Sequence, residues 1–142
     1  MGVLSTFMTA CRTNLAASPA SLSALPEGVS IDDPPDTDKT WFAVSMEPAS
    51  SLGAEHGGGS LITYVRNLIV QVAWMRDLDD EAHANTRADD YENIDAVMLK
   101  DSNKTSGIVL VNKASESETN HPNWTRAELR YSVRFRVAQN LT

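Results

Sequence analysis

The twelve residues RAELRYSVRFRV, from Arg126 to Val137, restrict the fold more than any other stretch of the chain. Polar and apolar side chains alternate strictly along them. Because successive side chains of a β-strand point to opposite faces of a sheet, this alternation predicts a long strand with one face in the core. The opposite face is basic. Its arginines are Arg126, Arg130, Arg134 and Arg136.

A basic face is unexpected in this protein, whose formal net charge is −7. Acidic side chains are concentrated between residues 77 and 95, and such a run usually forms a solvated surface. The first part of this segment, residues 77–85, is predicted to be an acidic loop. Its acidic residues are Asp77, Asp79, Asp80 and Glu81.

The arginine face has three interpretations. It could be an exposed sheet face whose arginines pair with acids of the same chain, and such pairs contribute only about 0–1 kcal/mol each. It could be a subunit or partner interface that meets the acidic segment of a neighbour. It could contact DNA directly, although net acidity disfavours this because phosphate binding depends on clustered Lys and Arg. We favour the interface hypothesis.

Helices and strands are predicted along the rest of the chain from the spacing of apolar residues. Residues 4–17 have a helical period, with Ser5 or Thr6 as the N-cap. Residues 86–100 form a second predicted helix, with Thr86 as its N-cap. The other predicted strands are residues 28–31, 40–46, 61–75 and 107–112, and residues 113–123 are predicted to be a polar loop.

The order of these segments predicts an α+β fold, with a mostly antiparallel β-sheet and two helices packed on one side. A chain of 142 residues fits one domain, residues 1–142. Residues 47–60 lack periodicity and contain three consecutive glycines, so we expect a long flexible loop that could dock onto a partner. The candidate docking residues are Leu52, Gly53, His56, Gly57, Gly58 and Gly59. No apolar run approaches the roughly 20 residues that span a bilayer, so no membrane segment is expected.

Signals for catalysis or metal binding are weak. His56, His83 and His121 lie in separate segments without the close spacing of a zinc site. The single Cys11 cannot form an internal disulfide, and its helical position favours a buried thiol. The stretch HGGGS, which ends at Ser60, is similar to the glycine loops of esterases, but the G-x-S-x-G motif of those enzymes is absent. We therefore expect a protein that is not an enzyme, without catalytic residues, a metal or a cofactor.

Four segments of the chain carry a resemblance to a known family. They are TWFAVSMEP, GGGSLITYVRNLIVQVAWMRDLDDE, YENIDAVM and NWTRAELRYSVRFRV. In composition and order these segments resemble the tail terminator (tail completion) proteins of long-tailed, lambda-like bacteriophages. The resemblance concerns the pattern and order of elements and spans most of the chain.

The resemblance implies a structural virion protein. Six copies would form a ring that caps the tail tube, stops its polymerisation and joins the tail to a head-side connector or stopper protein. Genomic DNA would pass through the lumen without specific binding, which suits an acidic protein. The ring would be assembled in the cytoplasm of the host bacterium and would reside in the neck of the virion.

Other functions remain open from the residues alone. Another neck component, such as a head-closure or head–tail joining protein, would share the small size, ring assembly and acidity. A small hydrolase would use His56 or Ser60 in a concave pocket. A nucleic-acid-binding module would use the arginine face and would bind DNA in a salt-dependent manner.

Overall fold

The computed structural model describes residues 2–18, 22–34, 39–47, 54–56, 61–75, 80–100, 105–121 and 124–138. Two helices and six strands are found in these ranges. In chain order they are α1 Val3–Ala16, β1 Leu22–Ala24, β2 Thr40–Met46, β3 Ala54–His56, β4 Leu61–Met75, α2 Asp80–Leu99, β5 Ile108–Asn120 and β6 Trp124–Ala138. The predicted α+β class, with both helices packed against a mostly antiparallel sheet, is confirmed.

The strands form one sheet in the order β1-β2-β4-β6-β5, and β3 also pairs with β4. Only β1 and β2 run parallel, and every other pair in the described ranges is antiparallel. The two longest strands, β4 and β6, lie side by side from the pair Leu61–Ala138 to the pair Met75–Trp124. The arginine-rich strand is therefore central in the sheet, and β5 is an edge strand.

The helices cover one face of this sheet, which we call the helix-covered face, and the other is the outer face. The odd-numbered residues of β6 point to the helix-covered face, as the alternation predicts. The buried residues of the two central strands on this face are Leu68, Val70, Val72, Trp74, Ala127, Leu129, Tyr131, Val133 and Phe135. Burial of this much apolar surface is the main source of stability for the fold.

Helix α1 contributes Phe7, Cys11 and Leu15 to the same core. The prediction that Ser5 or Thr6 caps this helix is wrong, because its N-cap is Gly2 and both hydroxyls donate to the Gly2 carbonyl. Burial raises the pKa of the Cys11 thiol to about 12, which makes it an inert core residue as expected.

Helix α2 begins at Asp80, six residues before Thr86, so the predicted N-cap is wrong and part of the predicted acidic loop is helical. The early turns are held on the sheet by buried side chains. His83 lies 3.3 Å from the Thr125 hydroxyl, measured from Nε2 to Oγ1, and that hydroxyl donates to Asn120 Oδ1 at 3.1 Å. Contacts with residues far away in the chain thus extend the helix beyond its apolar stripe.

Strand β5 also differs from the prediction, because it continues to Asn120 through residues that we expected to form a loop. Its second half is polar on both faces, which an edge strand tolerates when a partner strand supplies the hydrogen bonds. Register shifts between Ile108 and Leu110 and between Lys113 and Ser115 interrupt the period of two. These shifts explain why the prediction found only the first part of this strand, residues 107–112, and missed its continuation.

Two shorter predictions also need correction. Residues 28–31 are not a strand, since Val29 N–H donates to the Pro26 carbonyl in a turn, and the strand in this region is β1. The expected loop 47–60 contains β3, whose His56 is paired with Ile62 of β4. The candidate docking residues Leu52, Gly53, Gly57, Gly58 and Gly59 lie outside the described residues.

Candidate partner interface

All four arginines of β6 lie on the outer face of the sheet. Their partners in the register with β4 are Ala73 for Arg126, Ile69 for Arg130, Val65 for Arg134 and Thr63 for Arg136. At about 3.3 Å per residue, the arginines extend along roughly 33 Å of the strand. We describe this row from the Arg126 end, where loop residues cover the sheet, to the Arg136 end.

Arg126 is paired within the chain. Its guanidinium contacts the carboxylate of Asp32, and its Nη2 lies 3.9 Å from Glu128 Oε1. The turn that carries Asp32 is held on the outer face by Ile31, which is buried in a small cluster with Trp41 and Ala73. The simplest interpretation, an arginine paired with an acid of the same chain, therefore holds at this position.

Arg130 belongs to a polar network in the middle of the outer face. Its Nη2 donates to Glu128 Oε2 at 2.9 Å, and its Nε lies 3.8 Å from Glu47 Oε1. Glu47 also accepts a hydrogen bond from Asn67 Nδ2 at 2.9 Å, and Glu128 accepts one from Gln71 Nε2 at 3.3 Å. The charge of Arg130 is thus balanced locally and is not free for a partner.

Arg134 and Arg136 differ from the other two. Both are exposed, and neither forms an ion pair with any residue that the structure describes. They neighbour the paired β4 residues Val65 and Thr63 at the end of the sheet from which the 47–60 segment departs. This end of the outer face is the part of the arginine row that remains available for a partner.

The acidic segment lies on the other side of the sheet. Trp74 Nε1 donates to Asp90 Oδ2 at 2.6 Å, and the Tyr131 hydroxyl donates to Asp95 Oδ1 at 2.6 Å. Both donors are on the helix-covered face, so α2 does not meet the arginine face of the same chain. Asp80 and Glu81 are backbone positions at the start of α2, whereas Asp77 and Asp79 lie outside the described residues.

Several charges of α2 serve to hold the helix on β5 and β6. Arg87 Nε is 2.6 Å from Glu118 Oε1, and Lys113 Nζ is 2.9 Å from Asp95 Oδ2. Burial alone would lower the pKa of the Lys113 ammonium. Its hydrogen bonds to Glu116 and Asp95 outweigh this effect and raise the pKa above the usual value. Burial, followed by the Asp95 contact, raises the pKa of the Tyr131 hydroxyl, so this hydroxyl remains a donor.

Two acids of α2 have no such structural role. Asp89 and Glu92 are three residues apart and exposed, so they share the solvent side of the helix. Neither forms an ion pair within the described ranges. Among the residues that the structure describes, Asp89 and Glu92 thus stand without ion pairs on one side of the sheet, and Arg134 and Arg136 stand without ion pairs on the other.

The described residues also include a cavity of about 470 Å³ between α1 and the turn that follows β1. Its charged lining residues are Arg12 and Glu27, and Arg12 Nη2 donates to the Val44 carbonyl at 2.9 Å. The described lining contains no hydroxyl, thiol or imidazole side chain that could act as a nucleophile or base.

Within the ranges described, no three His, Cys, Asp or Glu residues are grouped as a metal site, and no helix is long and apolar enough to cross a membrane.

The chain matches no protein-family model. It has no match of significant similarity among curated proteins.

Proposed function

We propose that this protein is a structural protein whose identical subunits form a closed ring through head-to-tail contacts. The observation that carries this proposal is that two exposed arginines and two exposed acids, without ion pairs to described residues, lie on opposite sides of the sheet. Arg134 and Arg136 are exposed on the outer face, whereas Asp89 and Glu92 are exposed on the helix that covers the opposite face. A subunit with such complementary sides can bind the next copy in the same orientation, and a rotation between neighbours closes the chain of copies into a ring.

We propose further that the ring is the tail terminator in the neck of a long-tailed bacteriophage. The order of the quoted segments supports this assignment. The ring would cap the tail tube, stop its polymerisation and bind a head-side connector or stopper protein. An acidic subunit also suits a lumen through which DNA passes, because like charges prevent the salt-dependent adhesion of phosphate.

Charge reversal at the free end of the arginine row tests the ring. We expect the wild-type protein to sediment as a ring, with an axial hole visible by negative-stain electron microscopy. The variant R134E/R136E should remain a folded monomer, because both substitutions place acid against acid. The variant D89R/E92R should also be a monomer for the reciprocal reason.

The two variants together provide a sharper test than either alone. In an equimolar mixture, the acidic face of one variant meets the basic helix of the other, so alternating copies should restore a ring with an even number of subunits. The control variant K39E/K100E changes the net charge by the same amount as R134E/R136E, at exposed positions outside both surfaces, and should assemble normally. Rings formed by R134E/R136E alone, or a wild-type protein that stays monomeric, would contradict the proposal.

Binding to tail tubes separates a terminator from another neck ring. Purified tube protein should polymerise to indefinite length alone and stop at a capped end when the ring is added. A variant lacking residues 54–59 removes β3 and part of the predicted docking loop, and we expect it to form rings that no longer cap. Rings that bind only the head-side connector would indicate a head-closure or head–tail joining protein instead.

A further inference from the structure

Arg66 is the only positively charged residue in the described part of β4. In the sequence it interrupts an otherwise apolar face of this strand. It is paired in register with Val133 and is flanked on the same face by Tyr64 and Leu68. Leu68 and Val133 are fully buried in the core. The guanidinium therefore originates on the helix-covered face, where a charged side chain is expected to have a partner.

The described residues provide no such partner. Arg66 Nη1 is buried and has no hydrogen-bond acceptor, and Arg66 forms no ion pair with a described residue. A buried donor without an acceptor is unfavourable, and more so when it is charged. The residue as a whole is only half-buried, so the other N–H groups of the guanidinium can still be reached from outside.

Met46 lies on the same face of the sheet, diagonally across from Arg66. It pairs with Leu68, two residues from Arg66 on the same face, and diagonal neighbours of this kind are about 7–8 Å apart, within reach of long side chains. Met46 is 47% exposed and is the most exposed large apolar residue in the described part of the chain. An accessible apolar side chain thus stands beside an arginine that lacks a counterion among the described residues.

We propose that Arg66 and Met46 form a docking site for a segment of a partner protein that carries a carboxylate beside an apolar side chain. The carboxylate binds the outward N–H groups of Arg66, and the apolar side chain covers Met46. Burial of Nη1 has already removed water from one side of the guanidinium, so an ion pair here is screened less than at an ordinary surface arginine. This site shares no residue with the proposed ring contact of Arg134 and Arg136 with Asp89 and Glu92, so the two can be tested separately.

Charge favours a protein carboxylate over a nucleic-acid phosphate at this site. Phosphate backbones are bound by clusters of Lys and Arg, whereas Arg66 is a single cation. Arg12 of α1, which packs on the same face of the sheet, donates to the Val44 carbonyl. The net charge of −7 also repels a polyanion at long range, but it does not prevent a single carboxylate from binding in a local apolar setting.

Hexanoate tests the site, because it joins one carboxylate to one apolar chain. The probe is titrated into the full-length protein with ¹³C-labelled methionine methyl groups, and the Met46 signal is assigned from the variant M46L. We expect hexanoate to shift the Met46 signal, with a dissociation constant on the order of millimolar for so small a ligand. The neutral analogue hexanamide should produce a shift at least tenfold smaller at the same concentration.

The variant R66M and two other ligands, hexanamide and inorganic phosphate, show whether binding depends on the charge of Arg66. The variant R66M keeps a long side chain without the charge, and it should lose the response to hexanoate while its thermal midpoint is not lowered. Equal shifts with hexanamide would show that apolar contact alone is responsible, and equal shifts with inorganic phosphate would show a general anion site. Either result, or no shift with hexanoate, would overturn the proposal. Because wild-type protein distinguishes the three ligands, the test stands even if R66M folds poorly.

Discussion

At the scale of single residues, the acids of α2 divide into those that the fold uses and those that it leaves free. Asp90 is 5% exposed and accepts the Trp74 indole N–H at 2.6 Å. Burial raises the pKa of the Asp90 carboxyl, the Trp74 hydrogen bond opposes this shift, and the charge of Asp89 adds to it. Ionised Asp90 is therefore less stable in the folded protein than in the unfolded chain.

The variant D90N should reveal this destabilisation by ionised Asp90 as a change in how the free energy of unfolding depends on pH. A carboxyl whose folded pKa is raised contributes stability below its unfolded pKa, and this contribution is lost as pH rises through the folded pKa. The side-chain carbonyl of an asparagine at this position accepts the same indole hydrogen bond without titrating. We therefore expect the free energy of unfolding of D90N, relative to wild type, to increase between about pH 3 and pH 7.

Urea unfolding at several pH values, followed by Trp fluorescence, measures this difference. The control E27Q removes a carboxylate from an exposed position outside α2 and outside the proposed ring contact, and the pH profile of D90N is compared with that of this variant. A constant difference between D90N and wild type across the pH range would show that Asp90 has no raised pKa.

At the scale of elements, helix α2 and strand β5 extend beyond the sequence patterns that identify them. Thr86 has the residue type of an N-cap, yet it is exposed in the interior of α2, which begins at Asp80. Thr is less favourable than Ala inside a helix by about 0.5 kcal/mol, whereas loss of an N-cap costs about 1 kcal/mol. The sign of the stability change in the variant T86A therefore distinguishes a helix-interior position from an N-cap position.

We expect T86A to raise the free energy of unfolding by a few tenths of a kcal/mol, because Ala has the higher helix propensity. Chemical denaturation measures the change. The matched variant T13A replaces an exposed threonine inside α1 and should behave in the same way. A loss of about 1 kcal/mol in T86A, with none in T13A, would restore Thr86 as the helix start.

The central elements could be predicted from sequence because their signal is local. Alternation in β6 correctly identified its buried face, and the predicted strands 40–46 and 61–75 are β2 and β4. The extra turns of α2 depend instead on His83 and Thr125, which are 42 residues apart. The polar half of β5 depends on pairing with β6, and the two register shifts remove its periodicity. Neither feature leaves a trace within a short window of sequence.

The same distinction applies to the candidate interface. The arginine row itself was evident from alternation, but its division into paired and free halves was not. Arg126 meets Asp32, a residue 94 positions away, and Arg130 meets Glu47 through the order of strands in the sheet. Arg66 was visible only as an interruption of an apolar face, and the lack of a partner among the described residues emerged from the packing.

At the scale of the whole molecule, Arg134 and Arg136 lie on one side of the sheet and Asp89 and Glu92 on the other. The exposed charges on each side contribute little to the stability of a single subunit. Repetition around a ring would give every copy the same contact twice, once through each side. Because exposed charges are screened by salt, an assembly that depends on them should be sensitive to ionic strength.

We expect the proposed ring to dissociate progressively as NaCl increases from about 0.1 M to 1 M, because the screening length falls from about 10 Å to 3 Å. Sedimentation velocity at constant protein concentration measures the fraction assembled. The control is the mixture of R134E/R136E with D89R/E92R, which should show the same dependence on salt. Rings that strengthen with salt would indicate an interface dominated by apolar contacts instead.

The central position of β6 has a consequence for how a newly made subunit matures. Strand β6 separates β4 from β5 in the sheet, so a nascent chain that has not yet reached Trp124 presents two long unpaired edges. Such edges pair readily with other chains, and ribosome-bound intermediates of this kind are prone to aggregation. The pair Met75–Trp124 also closes a long loop, which slows folding. The sheet is therefore complete only after residues 124–138 have emerged from the ribosome and paired with β4 and β5.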